Sequence, residues 1–260
     1  MRKAINISQI AVGVIKKSMI QQAADVVGSQ FYKNEPILFR LTEDESKEVF
    51  YKMMNKHYET SSAVYDRITN DIYGCTLACD LVADIEDQTQ YPEKIDPICQ
   101  LMDQIAPRYY EAIGLPEQEV RANMIHYQIF TGIKPEMRGM KLAQRLLTHN
   151  SSLAKIMGFQ HIRGDFSSNL SFNVGLKIGY KYLFDIKYAE IEVNAKPKNY
   201  WKDIPKLIKE EKLFIGNIFL DEFQICLNRD ENAYGQEGQN FLLQSHIQNS
   251  YKRNNQLQLQ

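Results

Sequence analysis

The chemistry of this chain concentrates in one stretch, Gly132-Ile133-Lys134-Pro135-Glu136-Met137-Arg138-Gly139-Met140-Lys141-Leu142-Ala143. A strand-like run ends at Gly132, Pro135 marks a turn, and a helix is expected to open on Arg138-Gly139. Backbone N–H groups in the first turn of a helix lack internal partners and lie at the positive end of the helix dipole. Such a turn can hold a pyrophosphate by its backbone alone. Gly139 allows close approach, and Arg138 and Lys141 add positive charge. An ordinary strand–helix junction has the same ingredients, so on residues alone both readings stand.

Other residue types offer less. Glu35 precedes Pro36, which holds it out of helical geometry; a solvated surface glutamate is the plain alternative. Ser171 stands where a helix begins and could serve as its N-cap. His126 and His161 lie in strand patterns and read as core or surface histidines. The four cysteines, Cys75, Cys79, Cys99 and Cys226, show no metal-ligand spacing. No metal is expected, and Cys75 and Cys79 read as buried thiols on one strand face.

The bulk composition excludes some classes. With 31 basic against 32 acidic side chains, the chain lacks the basic excess of a nucleic-acid or anionic-membrane binder. It has no run of about twenty apolar residues, as a membrane span would need. A reducing, cytoplasmic setting is expected. A hydrophobic fraction of 44% is enough for a sizeable core.

Several elements must position the candidate residues. The pattern predicts a strand over Ala4 to Ile10, a helix ending near Val27, and a helix capped by Thr42 with its apolar face at Val49, Phe50, Met53 and Met54. Ser62 to Ile68 and Ile72 to Asp80 read as a hairpin. Tyr91 to Ile113 reads as helix, interrupted or restarted at Pro107. A strand from Arg121 to Ile133, a helix from Met137 to Met157 and a strand from Phe159 to Phe166 follow. Next come a helix from Ser171 to Ile178 ended by Gly179, strands over Tyr182 to Val193 and Ile218 to Leu227, and a helix over Ile204 to Lys212 between those strands. Residues 1–230 form one domain in this reading. Residues 231–260, rich in Gln and Asn, read as a disordered tail.

Ile133-Lys134-Pro135-Glu136-Met137-Arg138-Gly139 resembles the acetyl-CoA signature of the GNAT acetyltransferases. The family's [Q/R]-x-x-G-x-[G/A] element falls on Arg138, Lys141 and Ala143, with lysine in place of the usual glycine. Asn169-x-Ser171 followed by Leu176-Lys177-Ile178-Gly179-Tyr180 is similar to the family's second motif. Phe31-Tyr32-x-x-Glu35-Pro36 resembles a segment of the insect-type arylalkylamine (dopamine-like) N-acetyltransferases, whose extra helical insertion Tyr91 to Ile113 would match. The resemblance covers roughly the first 190 residues.

It implies the α/β (α+β) GNAT fold, a mixed and mostly antiparallel sheet of six to seven strands flanked by helices. It also implies acetyl-CoA as cosubstrate, bound by Ile133, Arg138, Gly139, Met140, Lys141, Leu142 and Ala143, with Asn169 on the pantetheine arm. By the same resemblance Glu35 is the general base for a small primary amine. Ser171 serves the leaving thiolate, because Gly175 stands where many members carry a tyrosine. A bulge near Phe130 to Ile133 would free an N–H for the oxyanion. Phe31, Tyr32, Tyr65, Tyr127 and Phe130 would suit an aromatic amine or a plain core. The alternatives are a different acceptor (a polyamine, amino acid or peptide terminus) and a non-catalytic acyl-CoA-binding protein.

Overall fold

The computed structural model describes residues 7–35, 38, 40–82, 91–191 and 212–223. All belong to the first of two units, Met1–Ile225. The expected tail over 231–260 lies outside the described residues.

Seven strands make one sheet: β1 (Ile10–Val14), β2 (Ser62–Asp66), β3 (Ile72–Asp80), β4 (Ile125–Ile133), β5 (His161–Phe166), β6 (Lys181–Lys187) and β7 (Lys212–Phe219). Their spatial order is β1-β2-β3-β4-β5-β7-β6. Every neighbouring pair is antiparallel except β4 and β5. A parallel pair needs a long crossover, and here a helix, α4 (Leu142–Ile156), supplies it. The mixed, mostly antiparallel α/β sheet is the one expected.

Three helices cover one face: α1 (Ile20–Asn34), α2 (Glu43–His57) and α3 (Asp96–Ile113). Val27, Phe50, Leu101 and Ile105 meet Cys75, Leu77, Ile125 and Tyr127 of the sheet there. On the opposite face Leu142 and Leu146 of α4 pack on Ile10, Val12 and Val64. Leu147 and Ala154 join Phe172 of α5 (Asn169–Lys177) in a further cluster with Phe166, Tyr180 and Phe214. Cys75 and Cys79 are buried on β3 as expected, and burial pushes the Cys75 thiol up.

Several limits move. The first strand is Ile10–Val14, preceded by a 3-10 turn at Ile7–Gln9. Its apolar run is buried on both faces, so the polar Ser8 and Gln9 fall outside it. Helix α1 runs past Val27 to Asn34. Gly28 does not stop it, because Gly28 is where α2 approaches: an added Cβ would come within 2.7 Å of Lys47 Cα. Phe31 and Tyr32 therefore ride on α1 rather than following it. Thr42 caps α2 through a reciprocal bond with Glu45. Pro107 sits inside a continuous α3 that ends at Gly114, whose φ is +71°. The last strand begins at Lys212, earlier than Ile218. Of the helix expected over Ile204 to Lys212, only Lys212 is described, and it is strand. The strand expected to reach Val193 stops at Lys187, and a 3-10 turn, Tyr188–Glu190, follows.

Candidate active site

Strands β4 and β5 pair over only four positions, from Ile125↔His161 to Gln128↔Gly164. Beyond Gln128 they part. On its other side β4 slips register against β3: Leu77 faces Phe130 while Ala78 faces Gln128. Ile129 is thus the extra residue of a β-bulge. The expected window, Phe130 to Ile133, pairs regularly with β3 instead, so the irregularity sits one residue earlier. Side-chain parity explains the place. Tyr127 and Phe130 both face the α1–α3 side, three residues apart, where period-two alternation would put them on opposite faces. One inserted residue reconciles them. Phe130 then meets Phe31 and Phe50, with ring centroids 5.0 and 4.8 Å away.

A cavity of about 140 Å³ fills the gap between the parted strands. Phe31 of α1 and Glu35 just past its end line it, with Gln128 to Thr131 of β4, Gly164 to Ser167, Ser171 and Val174 of α5, Tyr180, and Ala143 and Leu147 of α4. Glu35 reaches it because α1 ends there in extended geometry, at φ −93° and ψ 117°. Its Oε2 accepts from Ser167 Oγ at 2.8 Å, and its Oε1 is buried. Tyr188 in turn donates to the Ser167 carbonyl at 3.0 Å.

Ser171 lines the same cavity, but it is not the N-cap of α5. Ser168 is, and Ser171 completes the capping box at N3, donating to the Ser168 carbonyl at 2.9 Å. A side chain at Gly175 would displace Phe166, since an added Cβ would come within 2.6 Å of its Cζ. The Phe166 ring occupies the space a residue there would need. Of the five aromatics singled out, Phe31 and Phe130 line the cavity. Tyr127 lies behind it, Tyr65 packs against Gly13, and Tyr32 is half-buried on α1.

The turn expected to hold a pyrophosphate departs from the predicted backbone in where its helix opens. The helix opens at Leu142, after a 3-10 turn at Pro135–Met137. Gly139 at φ +84° and Lys141 at φ +57° both adopt left-handed backbone, which a helix interior excludes. Arg138 and Gly139 therefore lie in the loop ahead of the helix. Among the described residues, Arg138 N–H bonds the Pro135 carbonyl and Arg145 N–H bonds the Lys141 carbonyl, which leaves the amides of Leu142, Ala143 and Gln144 in the open first turn of the helix. An added Cβ at Gly139 would meet nothing within 4 Å, so the loop is open on that side. First-turn amides beside an open glycine, next to Arg138, Lys141 and Arg145, suit a pyrophosphate. Ala143 belongs to this turn and to the cavity. Ile133 packs with the Val12 and Leu142 cluster, Met140 is half-buried, and Asn169 is exposed at the first residue of α5.

Two buried polar networks flank the cavity. On the α3 side Arg163 forks onto Asp165, with Nε to Oδ1 at 3.0 Å and Nη2 to Oδ2 at 2.7 Å. Their side chains are 1% and 4% exposed. Tyr127 donates to Asp165 Oδ2 at 2.8 Å, and the guanidinium stacks over the Tyr127 and Tyr109 rings. Burial opposes the Arg163 charge, but the Asp165 carboxylate outweighs it and holds the group above its usual value. On the α4 side His126 and His149 are buried beside Asn150 and Ser62. Burial pulls each histidine down to about 4. His161 is half-buried and also lowered by burial. None of these histidines lines the cavity. Ser167, Tyr180 and the Arg163–Asp165 pair were not anticipated from the sequence. Only the alternation of Tyr127, Arg163 and Asp165 in strand patterns hinted that polar groups would share an inward face.

A larger, open depression of about 530 Å³ lies between the start of α1 and the β2–β3 turn, lined by Lys16, Asp25 and Asn70 among others. It is shallow and polar, and it gathers none of the candidate residues. No group of acids, histidines and cysteines arranged to hold a metal occurs among the described residues. No helix among them is long and apolar enough to cross a membrane.

No protein-family model matches the chain, and no curated protein does. Solved structures match closely in fold. The C-terminal condensation domain of Ebony in complex with beta-alanyl-dopamine superposes at a TM-score of 0.67, with 16% identity, over 81% of this chain and 98% of that one. A mosquito arylalkylamine N-acetyltransferase like 5b gives 0.62 and 18% over 81% and 99%. The Drosophila melanogaster polyamine N-acetyltransferase, which forms N-acetylagmatine, gives 0.61 and 15% over 81% and 99%. At these identities the likeness is one of fold, and the fold is that of the GNAT acyltransferases.

Proposed function

We propose that this chain is an acetyl-CoA-dependent N-acetyltransferase that acetylates a small primary amine of the arylalkylamine kind, with Glu35 as general base. The observation that carries the reading is the position of Glu35. Its carboxylate, bonded by Ser167, enters a cavity opened by two parting strands, and Ala143 joins that cavity to the amide-rich turn.

Acetyl-CoA supplies the activated acetyl group. The turn from Arg138 to Ala143 would hold its pyrophosphate, and the gap beyond Gln128 and Gly164 would take the pantetheine arm. The amine arrives as an ammonium, since alkylamines have a pKa of about 10. Glu35 removes a proton, and the freed nitrogen forms a bond to the thioester carbonyl carbon. The irregular backbone at Ile129 offers N–H donors for the oxygen that turns negative. As the carbon–sulfur bond breaks, the nitrogen loses its second proton and the thiolate gains one, with the Ser171 hydroxyl at hand. The sum is one amide, one thiol and one released proton.

Aromatic acceptors are favoured over polyamines by the described lining. Phe31, Phe130, Phe166 and Tyr180 face the cavity, whereas Asp165, the other carboxylate of the lining that a second cationic group would seek, is already bonded by Arg163 and Tyr127. A thiol-release assay with acetyl-CoA and a panel of amines tests this. Turnover with tyramine or tryptamine supports the proposal. Turnover confined to agmatine or spermidine moves the acceptor to polyamines. Tight acetyl-CoA binding without turnover on any amine would make the chain a binding protein.

A further inference from the structure

The buried network on the α4 side has a direction that one atom determines. The Thr60 carbonyl oxygen can only accept, so Asn150 must turn its Nδ2 toward it, at 2.8 Å. The same group reaches Ser62 Oγ at 3.1 Å. Asn150 Oδ1 is therefore the accepting side, and both nitrogens facing it must donate: His126 Nε2 at 2.8 Å and Gln128 Nε2 at 3.0 Å. Ser62 Oγ, which accepts from Asn150, also lies 3.0 Å from His149 Nδ1. His126 then carries its proton on Nε2, and among the described residues its buried Nδ1 meets no hydrogen-bond partner.

With the Gln128 amide nitrogen committed, its Oε1 faces Tyr180 Oη at 2.7 Å, and only the phenol can donate. Burial also holds the Tyr180 phenol well above its usual value, so it keeps that proton. Yet Tyr180 lines the cavity. A tyrosine at the reactive end of an acyltransferase cavity is a natural choice for general acid. This one has its proton pointed the other way.

We propose that Tyr180 Oη is a fixed hydrogen-bond acceptor for an N–H group of the ligand in the cavity, and that it does not protonate the leaving thiolate. The inference rests on the acetyltransferase reading. Two sources carry the required N–H, the ammonium of the acceptor and the amides of a pantetheine arm. Gln128 and Asn150 act through Tyr180 as positioning residues. The ring of Tyr180 is fixed independently, because it packs on Gly164 and Gly216, where an added Cβ would meet it at 2.8 and 3.1 Å.

Tyr180→Phe keeps that ring and removes the acceptor. It should weaken binding about tenfold, the worth of one hydrogen bond, while changing kcat less than about threefold. If the donor is the ammonium, KM for the amine rises and Kd for acetyl-CoA holds. If the donor is pantetheine, Kd for acetyl-CoA and for CoA rises and the amine KM holds. Unchanged binding on both arms, or a kcat loss of a hundredfold with binding intact, overturns the proposal.

Gln128→Glu reads the direction of the network without any turnover. A carboxylate at 128 can donate to Asn150 Oδ1 only when protonated, so the folded state should hold a proton that the unfolded chain releases above a pKa of about 4.3. Folding then binds more protons, and stability falls as pH rises. Relative to wild type, Tm should drop by about 5 °C or more at pH 8 and recover toward pH 5. A deficit independent of pH would contradict the assigned direction. Wild-type protein that neither binds nor turns over acetyl-CoA would sink the acetyltransferase reading and leave the Gln128→Glu result standing.

Discussion

The two halves of the candidate site are built in opposite ways. The turn from Arg138 to Ala143 is one contiguous stretch that would act through its backbone, while the cavity gathers side chains from α1, β4, β5, α4 and α5 and from Glu35, Ser167 and Tyr180 between elements. A backbone device tolerates altered side chains as long as the chain can still adopt its turn. Lys141 shows this by taking φ +57° where a glycine would be at ease. An assembled cavity has no such latitude, because each polar group behind it leaves a partner stranded when it is removed. Substitutions behind the cavity should therefore act through stability, and substitutions on the turn through binding.

The sharpest contrast comes from Arg163→Leu. It leaves the Asp165 carboxylate buried without its cation, and breaking such a pair costs about 3–5 kcal/mol. Urea unfolding should show that loss. A cost under about 1 kcal/mol would remove the distinction between the two halves. The neutral network behind the cavity should be acid-labile in turn. His126 and His149 titrate at about 4 when folded, against about 6.5 unfolded, so each adds about 3 kcal/mol above pH 6.5. That stability should disappear as pH falls from 6.5 toward 4. Flat unfolding free energy over this window would show that the histidines are not held neutral.

Effects on the turn should be smaller and of another kind. Gly139→Asp brings a carboxylate to the open edge of the loop and should weaken acetyl-CoA binding about ten- to a hundredfold, with a stability cost near 1 kcal/mol for the left-handed position. Calorimetric titration giving wild-type affinity would displace the phosphate site. Lys141→Gly is the mildest change. Relief of the left-handed backbone should stabilise the fold by about 1 kcal/mol. Loss of the lysine charge should weaken acetyl-CoA binding at low salt, by a margin that shrinks at high salt.

The same contrast governs what could be read from sequence. The turn was legible because its residues are consecutive, and only the opening of the helix was misplaced. Left-handed geometry at Gly139 and Lys141 delays it to Leu142, and lysine gives no hint of that. Thr42, the β2–β3 hairpin and the extended Glu35 before Pro36 were legible for the same local reason. Ser167, Tyr180 and the Arg163–Asp165 pair were not, since their roles depend on partners far along the chain: Glu35, Gln128 and Tyr127. The bulge was placed one residue late because its cause is tertiary, the need for Tyr127 and Phe130 to share a face. Helix α1 outran its expected end for a similar reason, Gly28 being a contact point with α2 and not a terminator.

Whether Glu35 is the general base of an amine acetyltransferase is decided by comparing kcat/KM of the wild type with that of Glu35→Gln. Glu35→Gln keeps the shape of the side chain and its contact with Ser167 but cannot take a proton. Wild-type and variant should bind acetyl-CoA alike, while kcat/KM for the amine at neutral pH falls roughly 10²- to 10⁴-fold. Raising the pH should restore part of the variant's rate, because amine that is already deprotonated needs no base. A variant that matches the wild-type rate at neutral pH would contradict the assignment.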